Sequence, residues 1–441
     1  MSLPSPLNLQ KLQKSLHEKA KHEPQFRFYS LWDKVCRQDV LYEAFRRCRV
    51  NGGAAGVDGE TFALIEEHGQ EAWLQKLKEE LLEQRYVPQP LKRVWIPKAN
   101  GALRPLGIPT IRCRVVQLAM TLVLEPIFEA DFVPSQYGYR PGLDAKMAIR
   151  RIHFHLTQHR RTQVVDADLH DYFGSIPHSP LLRSVARRVS DGTVLSLIKA
   201  WLEVPVEEGK PGWKLKTTVN KDTHRGTCQG GNISPLLANV YFRRFLLGWE
   251  KLKGPKLRDA AIVSYADDFV ICCKPGSAHE ALETAARIMN RIGLKLNDEK
   301  TRIASLPLET FDFLGYSFGR FYGKDGRPYV GTRPSRKSIQ KVKERIHNAT
   351  ARNMTWDSVE ERIKSVNLML RGWGNYFNQG PVQRAYREVN SYACERVQKW
   401  LAVKYKTTGH YKAKHPRDRV YGLLKLYELP EVKADRVKAK S

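Results

Sequence analysis

Two adjacent aspartates, Asp267 and Asp268, lie between short apolar runs in the segment AIVSYADDFVICC, residues 261–273. Apolar runs on either side of a tight polar break predict a β-hairpin that is buried on at least one side. Adjacent carboxylates at the tip of such a hairpin repel each other, and a buried carboxylate without a partner is more unfavourable still. A divalent cation would relieve both effects, and oxygen ligands suit Mg²⁺. The alternative interpretation is a solvated hairpin turn that happens to hold two aspartates.

A third carboxylate comes from a distant segment, QVVDADL at residues 163–169, which is typical of a strand ending in acidic residues. Asp166 and Asp168 share one face of that strand because alternate side chains point the same way. Asp168 precedes Asp267 by 99 residues, so only the pairing of strands within one sheet could bring them together. Three carboxylates meeting there would complete a site for two Mg²⁺ ions, which typically lie ~3.5–4 Å apart.

Two further segments carry groups that suit phosphate. Lys98 and Arg104 flank an Asn-Gly turn between two short strands, so they could meet on one face of a hairpin and clamp a triphosphate. They could equally be solvated charges on an edge hairpin. The glycine-rich turn at residues 226–235 precedes an apolar helix predicted at Leu236–Leu247. Such a turn lets the backbone approach a phosphate or a base, although a plain helix cap explains it as well.

The chain is strongly basic. Its 441 residues include 74 Lys and Arg against 46 Asp and Glu, a net charge of +28. Residues 331–441 carry 25 basic and 10 acidic side chains, so more than half of the surplus lies in the last quarter. This surplus predicts a polyanionic partner, with nucleic acid favoured over an acidic membrane surface. No run of ~18 apolar residues is present, so the sequence predicts no membrane span.

The seven cysteines exclude two structural roles. None belongs to a CxxC pair, and the number is odd. A zinc ribbon and a disulfide framework are therefore not expected, and the pattern is typical of a protein kept in a reducing compartment.

The elements that must position these groups alternate between strand and helix, which predicts an α+β fold built on a layered sheet. Apolar residues at helical spacing predict helices at Glu71–Leu82, Thr110–Phe128, Asp144–Thr157, Leu181–Trp201 and Ala278–Arg291. An aromatic strand pair is expected at Phe311–Phe318. Residues 335–404 are expected to be helical, with most of their aromatic side chains in a core.

Seven motifs in one order resemble the reverse transcriptases encoded by bacterial group II introns, the intron maturases. The motifs are IPKANGALRPLGIP, QYGYRPG, DADLHDYFGSIPH, RGTCQGGNISPLLAN, YADD, LNDEKT and FLGYSF. The segment LMLRGWGNYF at Leu368–Phe377 is similar to the signature of the maturase-specific domain, or domain X, which contains the thumb. The resemblance covers about residues 35–420.

This resemblance implies an α+β right-hand polymerase fold, with fingers, a palm carrying an antiparallel sheet and the YADD hairpin, and an α-helical thumb. The expected boundaries are 1–90 for an N-terminal extension and the start of the fingers, 91–325 for fingers and palm, and 326–441 for the thumb with a basic C-terminal tail. The implied catalytic and metal-binding residues are Asp168, Asp267 and Asp268. The backbone carbonyl of Leu169 would be a further metal ligand, and Asp166 would not be one.

The resemblance also assigns contacts to the incoming nucleotide. The residues concerned are Lys98, Arg104, Gln229, Gly230 and Lys300. Lys98 and Arg104 would bind the triphosphate, and Lys300 would protonate the leaving pyrophosphate. Phe173 matches the sugar gate, a ring that packs beneath C2′ and blocks a 2′-hydroxyl. The alternative for Phe173 is an ordinary core residue.

Three features depart from the family pattern. Cys228 stands where the family usually has Pro, which adds a thiol near the nucleotide and a possible sensitivity to oxidation. Gly174 stands where the family often has Asp. The sequence ends at Ser441 without the DNA-binding segment and HNH endonuclease that many relatives carry, so target-strand nicking is not expected.

Basic residues of the predicted thumb and tail are candidates for RNA binding. They are Arg336, Lys337, Lys341, Lys343, Lys404, Lys406, Lys412 and Lys414. Tyrosines interleaved with lysines after residue 404 would suit an RNA backbone with stacked bases. A solvated tail is the alternative.

Together these features predict an RNA-directed DNA polymerase with maturase character in the bacterial cytoplasm, associated with the nucleoid or an RNA–protein particle. Expected partners are group II intron RNA, an RNA template with a DNA or RNA primer, dNTPs and target DNA, without a membrane. The expected cofactor is a pair of Mg²⁺ ions, for which Mn²⁺ could substitute. Two alternatives are a domesticated reverse transcriptase working in repair or phage defence and a non-enzymatic RNA-binding splicing factor. An RNA-dependent RNA polymerase is disfavoured by Phe173.

Overall fold

The computed structural model describes residues 7–97, 101, 103–210, 213–323 and 325–431. Its strands are β1 Leu91–Pro97, β2 Leu103–Ile108, β3 Gln163–Ala167, β4 Val206–Lys210, β5 Trp213–Thr217, β6 Ala261–Tyr265, β7 Asp268–Cys273, β8 Arg302–Ser305, β9 Phe311–Phe313, β10 Tyr316–Tyr322 and β11 Pro328–Pro334. They form three sheets, ordered β2-β1-β4-β5, β6-β7-β3-β8 and β11-β10-β9. The mixture of sheets and helices confirms the predicted α+β class.

Helices surround these sheets. They are α1 Leu7–His22, α2 Trp32–Val35, α3 Gln38–Asn51, α4 Phe62–His68, α5 Gln70–Leu82, α6 Ile111–Glu129, α7 Ala145–Thr157, α8 Tyr172–Ser175, α9 His178–Ala186, α10 Gly192–Leu202, α11 Val219–Thr223, α12 Ser234–Leu252, α13 Ala278–Arg291, α14 Arg336–Ala349, α15 Val359–Tyr376, α16 Gln383–Lys404 and α17 Tyr411–Lys414. None of the described helices is long and apolar enough to cross a membrane.

The palm sheet, β6-β7-β3-β8, is buried on both faces. Val165 and Ile271 are paired across β3 and β7 and belong to the core formed with the N-terminal helices and α12. Their neighbours Val164 and Cys272 are also paired but belong to the core shared with α7 and helices α14, α15 and α16. Alternate residues thus enter different cores because successive strand side chains point to opposite faces. This burial fixes the register, since a slip of one residue would exchange the two sets.

The single helix predicted at Leu181–Trp201 is wrong, because residues 187–191 separate α9 from α10, and Asp191 is the last residue of this break. The Asp191 carboxylate caps α10 by accepting from the amide of Val194 at 3.1 Å. It also accepts from the amides of Leu31 and Trp32 at 2.8 and 2.9 Å. Asp191 therefore caps α10 and also binds a loop that is distant in sequence. The spacing of apolar residues does not reveal such a break in a helix.

Most of the predicted tail, residues 404–415, is exposed, so a solvated tail and an RNA-binding tail both stay open, whereas the chain further on packs into the thumb core. Leu429 is 2% exposed, and a Cβ at Gly374 would lie 2.4 Å from its Cδ2 atom. Gly374, in the motif that resembles domain X, is therefore small because Leu429 packs on it. The Asn390 side chain donates to the Leu429 carbonyl at 3.1 Å and accepts from its amide at 3.0 Å. We use "thumb" below for residues 335–431.

The cysteines and aromatic residues agree with the sequence analysis. All seven cysteines are buried free thiols. The large thumb aromatics Trp373, Tyr386 and Trp400 are 8%, 2% and 2% exposed, respectively, and thus belong to its core.

Candidate active site

Pairing of β3 with β7 brings the distant carboxylates to one end of the palm sheet. Ala167 lies opposite Phe269, so Asp168 leaves β3 beside Asp268 at the start of β7. Asp267 occupies the two-residue turn between β6 and β7. The prediction that strand pairing unites residues 99 positions apart therefore holds in the fold. We call Asp168, Asp267 and Asp268 the acidic cluster.

The members of the acidic cluster disfavour one another's charge. Burial, together with the neighbouring Asp267, Asp168 and Asp166, raises the pKa of Asp268 to about 7. Asp268 is an exposed residue, and burial by the protein atoms on one side of its carboxyl group is the largest cause of this rise. Burial and the charge of Asp168 also raise the pKa of Asp267, and the cations Arg104 and Lys300 oppose this rise. The cluster is therefore a site that calls for added positive charge.

Lys300 supplies part of that charge. Its Nζ atom donates to Asp168 Oδ2 at 2.6 Å, and this contact raises the lysine pKa. The loop before β8 holds the lysine in place, because the amides of Lys300 and Thr301 both donate to the Asn297 carbonyl. The Asn297 amide in turn donates to the Asp168 carbonyl at 2.8 Å. The neighbouring Leu169, the predicted carbonyl ligand, is buried at 4% exposure.

Asp166 is occupied elsewhere. It lies on β3 opposite Arg302 of β8, and Arg302 Nε lies 3.3 Å from its Oδ2 atom. Burial raises the pKa of Asp166, and Arg302 opposes that rise. That Asp166 is not a metal ligand stays a prediction.

The predicted nucleotide loop is attached to the β1-β2 hairpin through backbone contacts. The Gly107 amide of β2 donates to the Gln229 carbonyl at 2.9 Å. Gly230 has a φ of 121°, and a Cβ there would lie 2.5 Å from the Gly107 carbonyl oxygen. Only glycine fits this close approach. Arg104 Nε also donates to Gln229 Oε1 at 2.9 Å. Lys98, the other predicted triphosphate contact, lies outside the described residues.

Phe173 and Gly174 occupy the turn that follows the acidic strand. Phe173 is 9% exposed, and its carbonyl accepts from the Thr227 amide at 2.7 Å, which anchors it to the nucleotide loop. A Cβ at Gly174 would lie 2.1 Å from Asp171 Oδ2. The glycine therefore leaves room for the Asp171 carboxylate, which accepts from Gln229 Nε2 at 3.3 Å. Asp171 was not among the predicted site residues. Gly174, at a position where the family often has Asp, was the only sign in the sequence that space is needed there.

The QYGYRPG motif supports the aspartate turn. A Cβ at Gly138 would lie 2.2 Å from the Ala266 amide nitrogen, and Ala266 has a φ of 58°. The Tyr137 amide donates to the Ser264 carbonyl of β6 at 2.9 Å. Burial and the charge of Asp267 raise the pKa of Tyr139, so this side chain also borders the acidic cluster. Sequence reasoning quoted this motif without assigning Tyr139 to the site.

Comparison with known proteins identifies the family. Residues 96–318 match the family described as reverse transcriptase (RNA-dependent DNA polymerase). The chain belongs to this family. Residues 339–420 match the group II intron, maturase-specific domain. The predicted family, right-hand fold class and enzyme class, RNA-directed DNA polymerase, are thereby confirmed.

Three relatives show how far the similarity extends. Protein YkfC of Escherichia coli strain K12 is 33% identical over 75% of this chain and 93% of its own length. The group II intron-encoded protein LtrA of Lactococcus lactis subsp. cremoris is 32% identical over 48% of this chain and 34% of its own length. An uncharacterized 91 kDa protein in the cob intron of Schizosaccharomyces pombe is 25% identical over 78% of this chain and 50% of its own length.

Reverse transcriptases generally depend on divalent metal, and the donor set of the acidic cluster suits such an ion. Three hard carboxylate oxygen donors, crowded enough to raise the pKa of two members, are what Mg²⁺ prefers. Among the residues that the structure describes, oxygens of the three aspartates do not all lie within 4.8 Å of one another. Lys300 occupies one side of this set, with its Nζ atom 2.6 Å from Asp168 Oδ2.

Cys228 of this reverse transcriptase is shielded. It is 9% exposed, and its Sγ atom donates to the Gly107 carbonyl at 3.4 Å. Burial raises the pKa of the thiol to about 12, so it is protonated at neutral pH. Because oxidation proceeds through an accessible thiolate, these observations argue against the sensitivity considered from sequence.

The basic residues predicted to bind RNA fall into two groups. Exposed side chains are Arg336, Lys337, Lys341, Lys406, Lys412 and Lys414. Lys343 Nζ instead lies 2.5 Å from Glu388 Oε1. Lys404 Nζ donates to the carbonyls of Thr355 and Asp357 at 2.9 and 2.7 Å. Lys343 and Lys404 therefore make contacts within the thumb.

Proposed function

We propose that this reverse transcriptase copies RNA into DNA at the acidic cluster and binds its group II intron RNA through the thumb. The observation that supports the proposal is the meeting of Asp168, Asp267 and Asp268 at one sheet end, beside the Arg104–Gln229 pair. A polymerase needs this combination, in which carboxylates face the reacting groups and a cation lies beside the nucleotide loop. The side chains of the site bind, orient and select the substrates.

The metal would be held by the acidic cluster, with the Leu169 carbonyl as a further oxygen donor. Two Mg²⁺ ions, or Mn²⁺ in their place, would lower the pKa of the primer 3′-hydroxyl and stabilise the leaving pyrophosphate. Burial, together with the neighbouring carboxylates, raises the pKa values of Asp267 and Asp268, and a bound cation would stabilise their charged forms against both effects. Lys300, which donates to Asp168 in the structure, would donate a proton to the leaving pyrophosphate.

The remaining contacts concern the nucleotide. Arg104 would bind the triphosphate together with Lys98, since a guanidinium pairs well with phosphate oxygens. Gln229 and Gly230 would lie against the nucleotide, because their loop packs closely on β2 and the half-buried Gln229 amide accepts from Arg104. The Phe173 ring would exclude a 2′-hydroxyl and so select dNTPs. The primer, the RNA template and target DNA would lie along the basic surface of the thumb and palm.

Primer extension tests the polymerase proposal. The purified full chain should extend a DNA or RNA primer on an RNA template when supplied with dNTPs and Mg²⁺. With NTPs alone it should extend far less. Efficient synthesis with NTPs would favour an RNA polymerase, and no synthesis with either set would favour a splicing factor without catalysis.

Sequencing of the RNA that copurifies with the chain tests the intron proposal. Enrichment of one group II intron RNA is expected. A preparation that extends primers but retains no intron RNA would support a domesticated reverse transcriptase instead.

A further inference from the structure

Three side chains of metal-ligating type meet away from the acidic cluster, namely His178, Glu203 and His224. One ligand atom from each lies within 4.8 Å of those from the other two. His178 is the first residue of α9, Glu203 follows α10, and His224 follows α11. The polymerase reaction proposed above uses none of them.

His178 has a nitrogen prepared for a ligand. The residue is 4% exposed, and its Nε2 atom lies 2.8 Å from the Gly226 carbonyl oxygen. A carbonyl can only accept, so this bond places the proton on Nε2 and leaves a lone pair on Nδ1. Within the described part of the chain, Nδ1 is buried and has no hydrogen-bond partner. Metal-bound histidines commonly donate their other nitrogen to a carbonyl in this manner.

The backbone fixes the two histidines relative to each other. The His178 amide donates to the His224 carbonyl at 2.9 Å, and the Gly226 amide donates to the Ile176 carbonyl at 2.8 Å. His224 ends α11 in the left-handed region, with a φ of 52°. Because these backbone bonds already hold the two histidines in place, metal binding costs less conformational entropy.

The charges around the three side chains suit a cation. Burial lowers the pKa of His178, which keeps its ring neutral and able to act as a ligand. Glu203 adds a negative charge, and the cation paired with it is Lys199, whose Nζ lies 4.0 Å from Oε1. Two imidazoles and one carboxylate match the donors of borderline transition metals, whereas Mg²⁺ prefers oxygen ligands alone.

We propose that His178, Glu203 and His224 bind a divalent transition-metal ion, with Zn²⁺ as the natural occupant. Three protein ligands leave one position of a tetrahedral zinc site for water. The ion would join two segments that serve the nucleotide. His178 lies five residues after Phe173, and His224 lies five residues before Gln229. The bound ion would therefore hold the turn that contains Phe173 against the loop that contains Gln229.

Calorimetric titration of the metal-stripped full chain with ZnCl₂, in buffer with excess Mg²⁺, tests this proposal. The parent should bind one Zn²⁺ per chain. Glu203→Gln and His224→Ala should each weaken binding by at least about 10–100-fold, the effect of losing even an outer-shell partner. His279→Ala, which changes an exposed histidine on α13, should bind as the parent does. Asp267→Asn should also retain the Zn²⁺, which separates this site from the acidic cluster.

Two further measurements make the result decisive. Co²⁺ in the parent should give the intense visible absorption of a four-coordinate ion, and His224→Ala should lose it. Zn²⁺ should raise the unfolding temperature of the parent but not that of Glu203→Gln, which keeps the size of the side chain. If His224→Ala does not fold, Glu203→Gln alone decides. The proposal is overturned if the parent binds no Zn²⁺ or if Glu203→Gln binds it unchanged. Tighter binding of Fe²⁺ without oxygen would overturn the choice of zinc.

Discussion

The acidic end of the palm sheet and the basic thumb differ in how their charges are held. In the palm, burial and the like charges that strand pairing brings together raise the pKa of Asp268 to about 7. In the thumb, Lys337 and Lys341 are exposed, while Lys404 is bound to backbone carbonyls. The palm is therefore expected to bind cations at one place, the acidic cluster. The thumb is expected to bind anions over a surface of exposed lysines.

This difference predicts that catalysis and RNA binding can be separated by mutation. Catalysis depends on a few carboxylates whose positions are fixed by the register of β3 and β7. RNA binding depends on the number of exposed cations, each of which contributes a little. A change in the palm should be all-or-none for synthesis, and a change in the thumb should be graded.

The largest expected effect is that of Asp267→Asn. The substitution preserves volume but removes one negative charge from the acidic cluster, so cDNA synthesis should fall to background in primer extension. It also relieves repulsion with Asp268, so the palm should stay folded. RNA affinity, measured by filter binding, should remain within a few-fold of the parent. Asp259→Asn changes an exposed aspartate and should leave both activities intact.

Either of two outcomes would break the comparison. Full-rate extension by Asp267→Asn would remove this residue from the catalytic set. Joint loss of synthesis and RNA binding at an unchanged unfolding temperature would show that the palm and the thumb cannot be separated.

Leu429→Ala should have the next largest effect, on stability. Leu429 is 2% exposed and packs on Gly374, so its truncation leaves a cavity and should cost about 2–5 kcal/mol of unfolding free energy. Leu423→Ala, at a side chain that is 70% exposed, should cost far less. Urea denaturation of both variants measures the difference. Equal stabilities would mean that the residues after α16 are not part of the thumb core.

Phe173→Ala sharpens the assignment of the palm. If the ring blocks a 2′-hydroxyl, its removal should raise ribonucleotide incorporation relative to deoxynucleotide incorporation by about 10–200-fold, the range of steric selection in a pocket. Phe173→Tyr keeps the ring and should keep the discrimination. Competition between dNTPs and NTPs in primer extension gives the ratio. A variant that loses stability but discriminates as the parent does would mark Phe173 as ordinary core.

Arg104→Ala should raise the KM for dNTPs by about tenfold, as expected for the loss of a hydrogen bond to a charged group. All four dNTPs should be affected alike, because a triphosphate contact carries no base information. Lys92→Ala removes an exposed cation from the neighbouring strand β1 and should leave the KM unchanged. Steady-state extension with each dNTP varied in turn measures these values, and a base-selective defect would contradict the triphosphate role.

The sequence was sufficient where a feature is local. Apolar runs next to aspartates predicted β3, β6 and β7 of the palm sheet but not β8, and the Asn-Gly turn predicted the β1-β2 hairpin, in which Ile96 lies opposite Arg104. Motif order then placed the acidic cluster.

Features that depend on distant partners could not be predicted. Asp191 breaks a helix because it also binds Leu31 and Trp32, which are far away in sequence. Gly174 makes room for the Asp171 carboxylate, which accepts from the distant Gln229. Lys404 donates to the distant carbonyls of Thr355 and Asp357. Composition counts Lys404 among the RNA-binding cations, and it cannot reveal these hydrogen bonds.

The last prediction tests this division of the thumb lysines, and its expected effect is the smallest. Removing one lysine that binds a phosphate should reduce the slope of log affinity against log salt by about 1. Lys337→Gln and Lys341→Gln, at exposed positions of α14, should therefore each make the slope shallower and leave the unfolding temperature unchanged. Lys404→Gln leaves two carbonyls without a donor, so it should cost about 1–3 kcal/mol of stability and leave the slope as in the parent. Filter binding at several salt concentrations, together with thermal unfolding, measures both quantities. A shallower slope in Lys404→Gln, or a parent-like slope in both α14 variants, would show that exposure does not determine which lysines meet RNA.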